Sequence, residues 1–171
     1  MQPVPEEEFH AFFTRWEPQV RRFLIWLEGD LSVIDDAAQE TMISAFRYWG
    51  RVCALETPRA WLFKIAGQRL SDAQEARRRH GMCTDPSRFP DQPSPRNAIA
   101  LREDQLAILD AVRKLPPQQA IAIALQLQYD LPLSEIADIM GVTTGSVKSH
   151  LHLARTGLRD LLGEAEDGER R

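Results

Sequence analysis

Residues 133–162 read LSEIADIMGVTTGSVKSHLHLARTGLRDLL, and the fold turns on this stretch. Ser134 offers an N-cap, because its hydroxyl can accept a hydrogen bond from an orphan first-turn N–H. Ile136, Ala137 and Met140 follow at helical spacing. Gly141 ends this short helix, since glycine readily takes the left-handed conformation of a C-cap. Thr143 caps the next helix, whose buried stripe is Val147, Leu151, Ala154, Leu158 and Leu161. Thr144, Ser146, Lys148, Ser149, His150 and Arg155 fall between those positions and point outward. A short helix, a glycine turn and a longer helix that starts with small polar residues is the pattern of major-groove readers. An ordinary helical hairpin has the same apolar spacing, so the rest of the chain must separate the two.

The chain has 171 residues, 43% of them hydrophobic, enough for one medium domain or two small ones. Strand signals are scarce and apolar residues recur at helical spacing, so the expected class is all-α. No apolar run is long enough to span a membrane, and no secretory signal is expected. Cys53 and Cys83 lack partners at metal spacing and suggest reduced cytosolic thiols. Cys53, His80 and Cys83 are three candidate ligands where a structural zinc needs about four. No metal or cofactor is therefore expected.

A net charge of −4 argues at first against nucleic acid, but its distribution matters more than its sum. From Thr57 to His80, Arg59, Lys64, Arg69, Arg77, Arg78 and Arg79 stand against Asp72 and Glu75. From Gly141 to Asp160, Lys148, Arg155 and Arg159 stand against Asp160 alone. The acids gather at Glu6 to Glu8, at Asp30, Asp35 and Asp36, and between Glu164 and Glu169. Two modest basic surfaces on an acidic body imply weak DNA affinity for the isolated chain and leave acidic surface for a protein partner.

Upstream, Phe9, Phe12, Phe13, Trp16, Val20, Phe23, Leu24 and Leu27 define a first amphipathic helix with Pro18 inside it. Asp30 or Ser32 caps a second, with Ile34, Ala37, Ala38, Met42, Ala45, Phe46 and Trp49 on its buried side. Gly50 ends it, and 51–56 is a connecting loop. Its other face carries Asp35, Asp36, Gln39, Glu40 and Ser44. Thr57-Pro58 starts a third helix that buries Trp61, Leu62, Ile65 and Ala66 and runs to about Arg79. Residues 81–97 hold Pro86, Pro90, Pro93 and Pro95 and read as an extended linker. The expected architecture is thus two small helical domains, 1–80 and 98–171, joined by that linker and folding as separate pieces, the second carrying the helix-turn-helix. A helix start is expected at Asn97 or Ala98.

Two separated stretches together resemble one family, the small extracytoplasmic-function sigma factors of bacterial RNA polymerase. In the first domain they are DDAAQETMISAF (Asp35 to Phe46) and TPRAWLFKIA (Thr57 to Ala66). In the second they are KLPPQQAIAIAL (Lys114 to Leu125) and LSEIADIMGVTTGSVKSHLHLAR (Leu133 to Arg155). Order, spacing and the proline-rich linker all fit, and the resemblance runs from about Phe9 to Leu162. It implies that the first domain docks on core polymerase and opens the minus-ten element, and that the second reads the minus-thirty-five element of promoter DNA.

On that resemblance Asp35, Asp36, Gln39, Glu40 and Ser44 face a coiled coil of the largest polymerase subunit, as acceptors of charge-assisted hydrogen bonds. Taken alone, the same run reads as a solvated helix face. Arg59, Trp61, Lys64, Gln68 and Arg69 would meet minus-ten DNA, near a loop where the family holds a flipped base. For Trp61 the residues leave two readings, a stacking face or core. Thr144, Ser146, Lys148, Ser149, His150 and Arg155 would meet the upstream element. Two departures stand out: Gly67-Gln68 where many members have Arg-Asn, and His150 and Leu153 where members often have arginine. The resemblance also implies a cytoplasmic regulator under an anti-sigma factor, with no catalytic residues of its own. The alternative is a sigma mimic that sequesters an anti-sigma factor without transcribing.

Overall fold

A computed structural model describes residues 6–81 and 103–169, with side chains up to Gly163. Every regular element among them is an α-helix: α1 (Glu6–Leu27), α2 (Leu31–Arg47), α3 (Trp49–Val52), α4 (Pro58–Gly81), α5 (Glu103–Lys114), α6 (Pro117–Tyr129), α7 (Leu133–Met140) and α8 (Thr144–Glu169). Apart from Gly81, the linker expected over 81–97 lies outside the described residues, as do Cys83 and the expected helix start at Asn97 or Ala98.

Local chemistry sets most boundaries. Glu28 Oε1 accepts from the N–H groups of Gly29 and Asp30 (2.8 and 2.9 Å), which turns the chain after α1. Asp30 Oδ1 then accepts from Ser32 N at 2.9 Å and caps α2. α1 continues through Pro18. Gly50 does not end α2: Tyr48 does, and the one-turn α3 runs through the glycine. The reason is burial. α3 sinks Trp49 and Val52, and the Trp49 ring meets Phe9 and Phe12 edge-on, with centroids 5.3 and 5.1 Å apart. Burying a tryptophan outweighs the roughly 1 kcal/mol that glycine costs a helix.

In the second half, Gly141 adopts φ +67° and its N–H returns to Ala137 O, closing α7. Thr143 Oγ1 accepts from Ser146 N at 3.1 Å and caps α8. Ser134 is not a cap. α7 begins one residue earlier, behind Pro132, whose carbonyl accepts from Glu135 N and Ile136 N (3.0 and 3.1 Å). Proline's fixed φ has already aimed the chain, and the serine is left exposed. Where α8 crosses the end of α5, Gly157 has no room for a side chain, since a Cβ there would lie 2.7 Å from Leu115 Cδ2. Gly157→Val is expected to cost about 1–3 kcal/mol by overpacking, read as a lower denaturant midpoint with an unchanged slope.

The two halves do not stand apart. α1 packs on α5 and α6, α4 packs on α7, and a continuous buried core runs through both. Trp26 Nε1 donates to Gln128 Oε1 at 2.8 Å, and Tyr129 OH donates to Gln19 O at 2.7 Å. Arg113 donates twice to Ile25 O (3.0 and 2.7 Å), placing a cation on the last turn of α1, where the helix dipole favours it. Burial raises the Tyr129 phenol above its ordinary value, against the lowering pull of Arg22 and Arg59. The neutral phenol is thus the form favoured on folding. Its contribution is complete below the unfolded value near pH 10 and is lost only as pH rises above that. The expected boundary rests on the proline-rich stretch, and a linker does not reveal whether the pieces it joins pack on one another.

Candidate functional site

Three surfaces carry the expected binding residues. On α2, Asp35, Asp36, Gln39 and Glu40 are exposed on one face. Asp35 is paired with Arg21 of α1, which also reaches Glu17 at 2.8 Å. Ser44 does not belong to this face. It is buried (3%), donates its hydroxyl hydrogen to Glu40 O at 2.8 Å and accepts from Arg69 Nη2 at 3.3 Å. It lies where α4 crosses α2, the most extensive helix contact among the described residues. Phe46 moves the other way, since it was expected inside but is 49% exposed. With Phe9, Phe13, Met42 and Ile43 it lines a groove of about 440 Å³ between α1 and α2, bordered by Gln39. That groove was readable in principle: Gln39, Ile43 and Phe46 recur at helical spacing, an apolar continuation of the polar face.

On α4 the expected residues separate. Lys64 and Gln68 are exposed one turn apart and share a face. Trp61 is half-buried, packed against the core and edge-on to Tyr48 at 6.5 Å, which favours the core reading. Arg69 is held by Ser44 and by Asp72 (3.3 Å), and its Nε is buried without a hydrogen-bond partner. Arg59 forms a two-pronged ion pair with Glu135 of α7, Nε to Oε1 at 3.0 Å and Nη2 to Oε2 at 2.9 Å. Cys53 is exposed just after α3.

On α8, Val147, Leu151 and Ala154 are buried as expected, which fixes the outward side. Thr144, Lys148, Ser149 and Arg155 are exposed. Ser146 is half-buried, and its hydroxyl oxygen accepts from Thr143 Oγ1 at 3.1 Å within the cap. His150 is also half-buried, close to the apolar stripe, whereas His152 is exposed beside Lys148 and Ser149 on the outward side. His150 thus sits at the edge of the stripe, and helical spacing places His152 between Lys148 and Ser149. Arg155 Nη2 donates to Gln126 Oε1 of α6 at 2.6 Å.

A family model described as sigma-70 region 2 matches residues 12–80, and one described as sigma-70, region 4 matches 105–158. The chain is 32% identical over 146 residues to the ECF RNA polymerase sigma factor SigL of Mycobacterium tuberculosis, covering 84% of this chain and 82% of that one. The chain belongs to the extracytoplasmic-function sigma factors. It is 29% identical over 168 residues to the sigma factor CarQ of Myxococcus xanthus, covering 94% and 92% of the two chains. The same fold occurs in the sigma factor RpoE of Bartonella quintana, solved with the anti-sigma factor NepR (TM-score 0.69, 23% identity, 92% and 98% covered). It also occurs in CnrH, solved with the cytosolic domain of CnrY (TM-score 0.65, 18% identity, 93% and 90% covered).

The region 2 match spans α2 and α4, and the region 4 match includes α7 and the start of α8. In this sigma factor α8 is the second helix of the expected helix-turn-helix, and its exposure pattern makes a prediction. His152→Ala is expected to change the preferred upstream sequence at one position and cost about 1–3 kcal/mol there, while half-buried His150→Ala changes it less. Arg155→Ala is expected to weaken all sequences alike and lower the salt slope by about one unit. Transcription from promoters randomised upstream measures all three.

Proposed function

We propose that this sigma factor docks on core RNA polymerase through the α2 face of Asp35, Asp36, Gln39 and Glu40. On this reading Arg59, Lys64, Gln68 and Arg69 of α4 meet the minus-ten element. The α8 face formed by Thr144, Ser146, Lys148, Ser149, His150 and Arg155 meets the minus-thirty-five element, and His152 joins it. The observation that carries the reading is the presence in one chain, in order, of a region 2 helix pair with an exposed acidic face and a capped recognition helix with an outward polar face.

Acids and amides on α2 suit a basic polymerase surface, and the adjoining apolar groove between α1 and α2 supplies area that charge alone does not. Small residues at the start of α8 let backbone N–H groups approach phosphates. Chemistry stays with the polymerase, and this chain supplies binding and strand selection. No described helix is long and apolar enough to cross a membrane, and the site of action is the cytoplasm, where the polymerase works. Control by an anti-sigma factor is supported by the sigma factor RpoE, which shares this fold and was solved with the anti-sigma factor NepR bound.

Run-off transcription with core polymerase on a promoter library tests the reading. Specific transcripts that depend on this protein are the expected result. Their absence, with retained binding of an anti-sigma factor, would identify a mimic that does not transcribe.

A further inference from the structure

We propose that Glu135 is an internal substitute for promoter phosphate. In the free protein it occupies Arg59 and holds the two halves in a closed state that must open before both promoter elements are bound. This rests on the reading that Arg59 faces minus-ten DNA.

The geometry is that of anion recognition. A guanidinium presents a planar fork that fits a carboxylate or a phosphate through two parallel hydrogen bonds. Arg59 uses that fork on Glu135, with both bonds near 3 Å. The partners come from opposite halves, 76 residues apart in sequence, and both are largely withdrawn from solvent, at 33% and 20% exposed. Around them the halves are joined by Tyr129 to Gln19, Arg113 to Ile25 and Trp26 to Gln128, and the Phe63 ring packs on Tyr129 at 4.7 Å.

The closed arrangement cannot lie on both elements at once. By their names the two elements are centred about 25 base pairs apart (35 less 10), which at about 3.4 Å per pair is roughly 85 Å along the duplex. Glu135 sits on α7, which has 8 residues and leads through Gly141 directly into α8. At about 1.5 Å per residue the whole of α7 is only about 12 Å long. Arg59 is therefore held against the helix that precedes the recognition helix, far short of the span a promoter requires. Opening exchanges one anion for another at Arg59, so the guanidinium is never left without a partner, and the cost of separation falls on the apolar and side-chain contacts around it.

The test uses the full chain in five forms: unaltered, Glu135→Gln, Asp138→Asn, Arg59→Gln and Arg59→Gln/Glu135→Gln. Asp138→Asn is the control, because it makes the same charge change on an exposed residue of the same helix. Small-angle scattering reports the separation of the halves. Fluorescence anisotropy with a labelled mixed-sequence single strand reports access to Arg59, since a phosphate contact does not depend on sequence.

Glu135→Gln is expected to raise the radius of gyration. It should also tighten strand binding about threefold to tenfold relative to Asp138→Asn, as the open fraction rises. In the Arg59→Gln background the same change should bring no gain. The proposal is overturned if scattering is unchanged, if Glu135→Gln binds no better than Asp138→Asn, or if the gain survives without Arg59. Run-off transcription by the unaltered chain judges the sigma reading separately, so a failure of either is seen on its own.

Discussion

Reversing Asp36 and Glu40 together to lysine is expected to abolish co-purification with core RNA polymerase while leaving helix content unchanged. Both carboxylates are exposed and one turn apart on α2, in a run otherwise interrupted by buried Ala37 and Ala38. Neither touches the core, so the substitution acts on the surface alone. Lysine forms helix about as well as glutamate, and two lysines at this spacing repel no more than two acids do. Asp35 is left in place because its pair with Arg21 ties α2 to α1. On a basic partner surface the reversal turns attraction into repulsion, and a cost of about 3 kcal/mol already weakens binding more than about 100-fold. Circular dichroism checks the fold and a pull-down checks binding. Retained binding would remove this face from the docking assignment and leave the groove beside it as the remaining candidate on that side.

The largest effect on stability is expected from Phe63→Ala. Phe63 is 1% exposed, stacks on Phe23 of α1 at 4.9 Å and meets Tyr129 of α6 at 4.7 Å. It therefore belongs to the core of the first half and to the seam between halves at once. Truncating a buried phenylalanine costs about 3–5 kcal/mol, from lost transfer energy and the cavity left behind. For a chain of this size that lowers the melting temperature by roughly 10 °C. A melt followed by circular dichroism measures it. A drop of only a degree or two would mean that Phe63 is not buried in solution.

Short-range chemistry was readable along the chain. Asp30 before α2, Pro58 at the start of α4, Gly141 at the end of α7 and Thr143 before α8 each stand where the helices begin or end, because caps and turns depend on a few adjacent residues. The stripe of Val147, Leu151 and Ala154 was equally plain, since a 3.6-residue period follows from the backbone itself. Those features were enough to give the helical class and, with the quoted motifs, the family.

Tertiary packing decided the rest. Ser44 is buried and Phe46 exposed because α4 crosses α2 on one side only, and periodicity names a face without naming what covers it. Gly50 lies inside a helix because Trp49 and Val52 on either side of it are buried. Arg59 and Glu135 meet across 76 residues, and neither carries any local mark of the other. A cap is selected by its neighbours in sequence. A pair such as this is selected by two helices that only the folded chain brings together, and so the closed state of the two halves could be seen only in three dimensions.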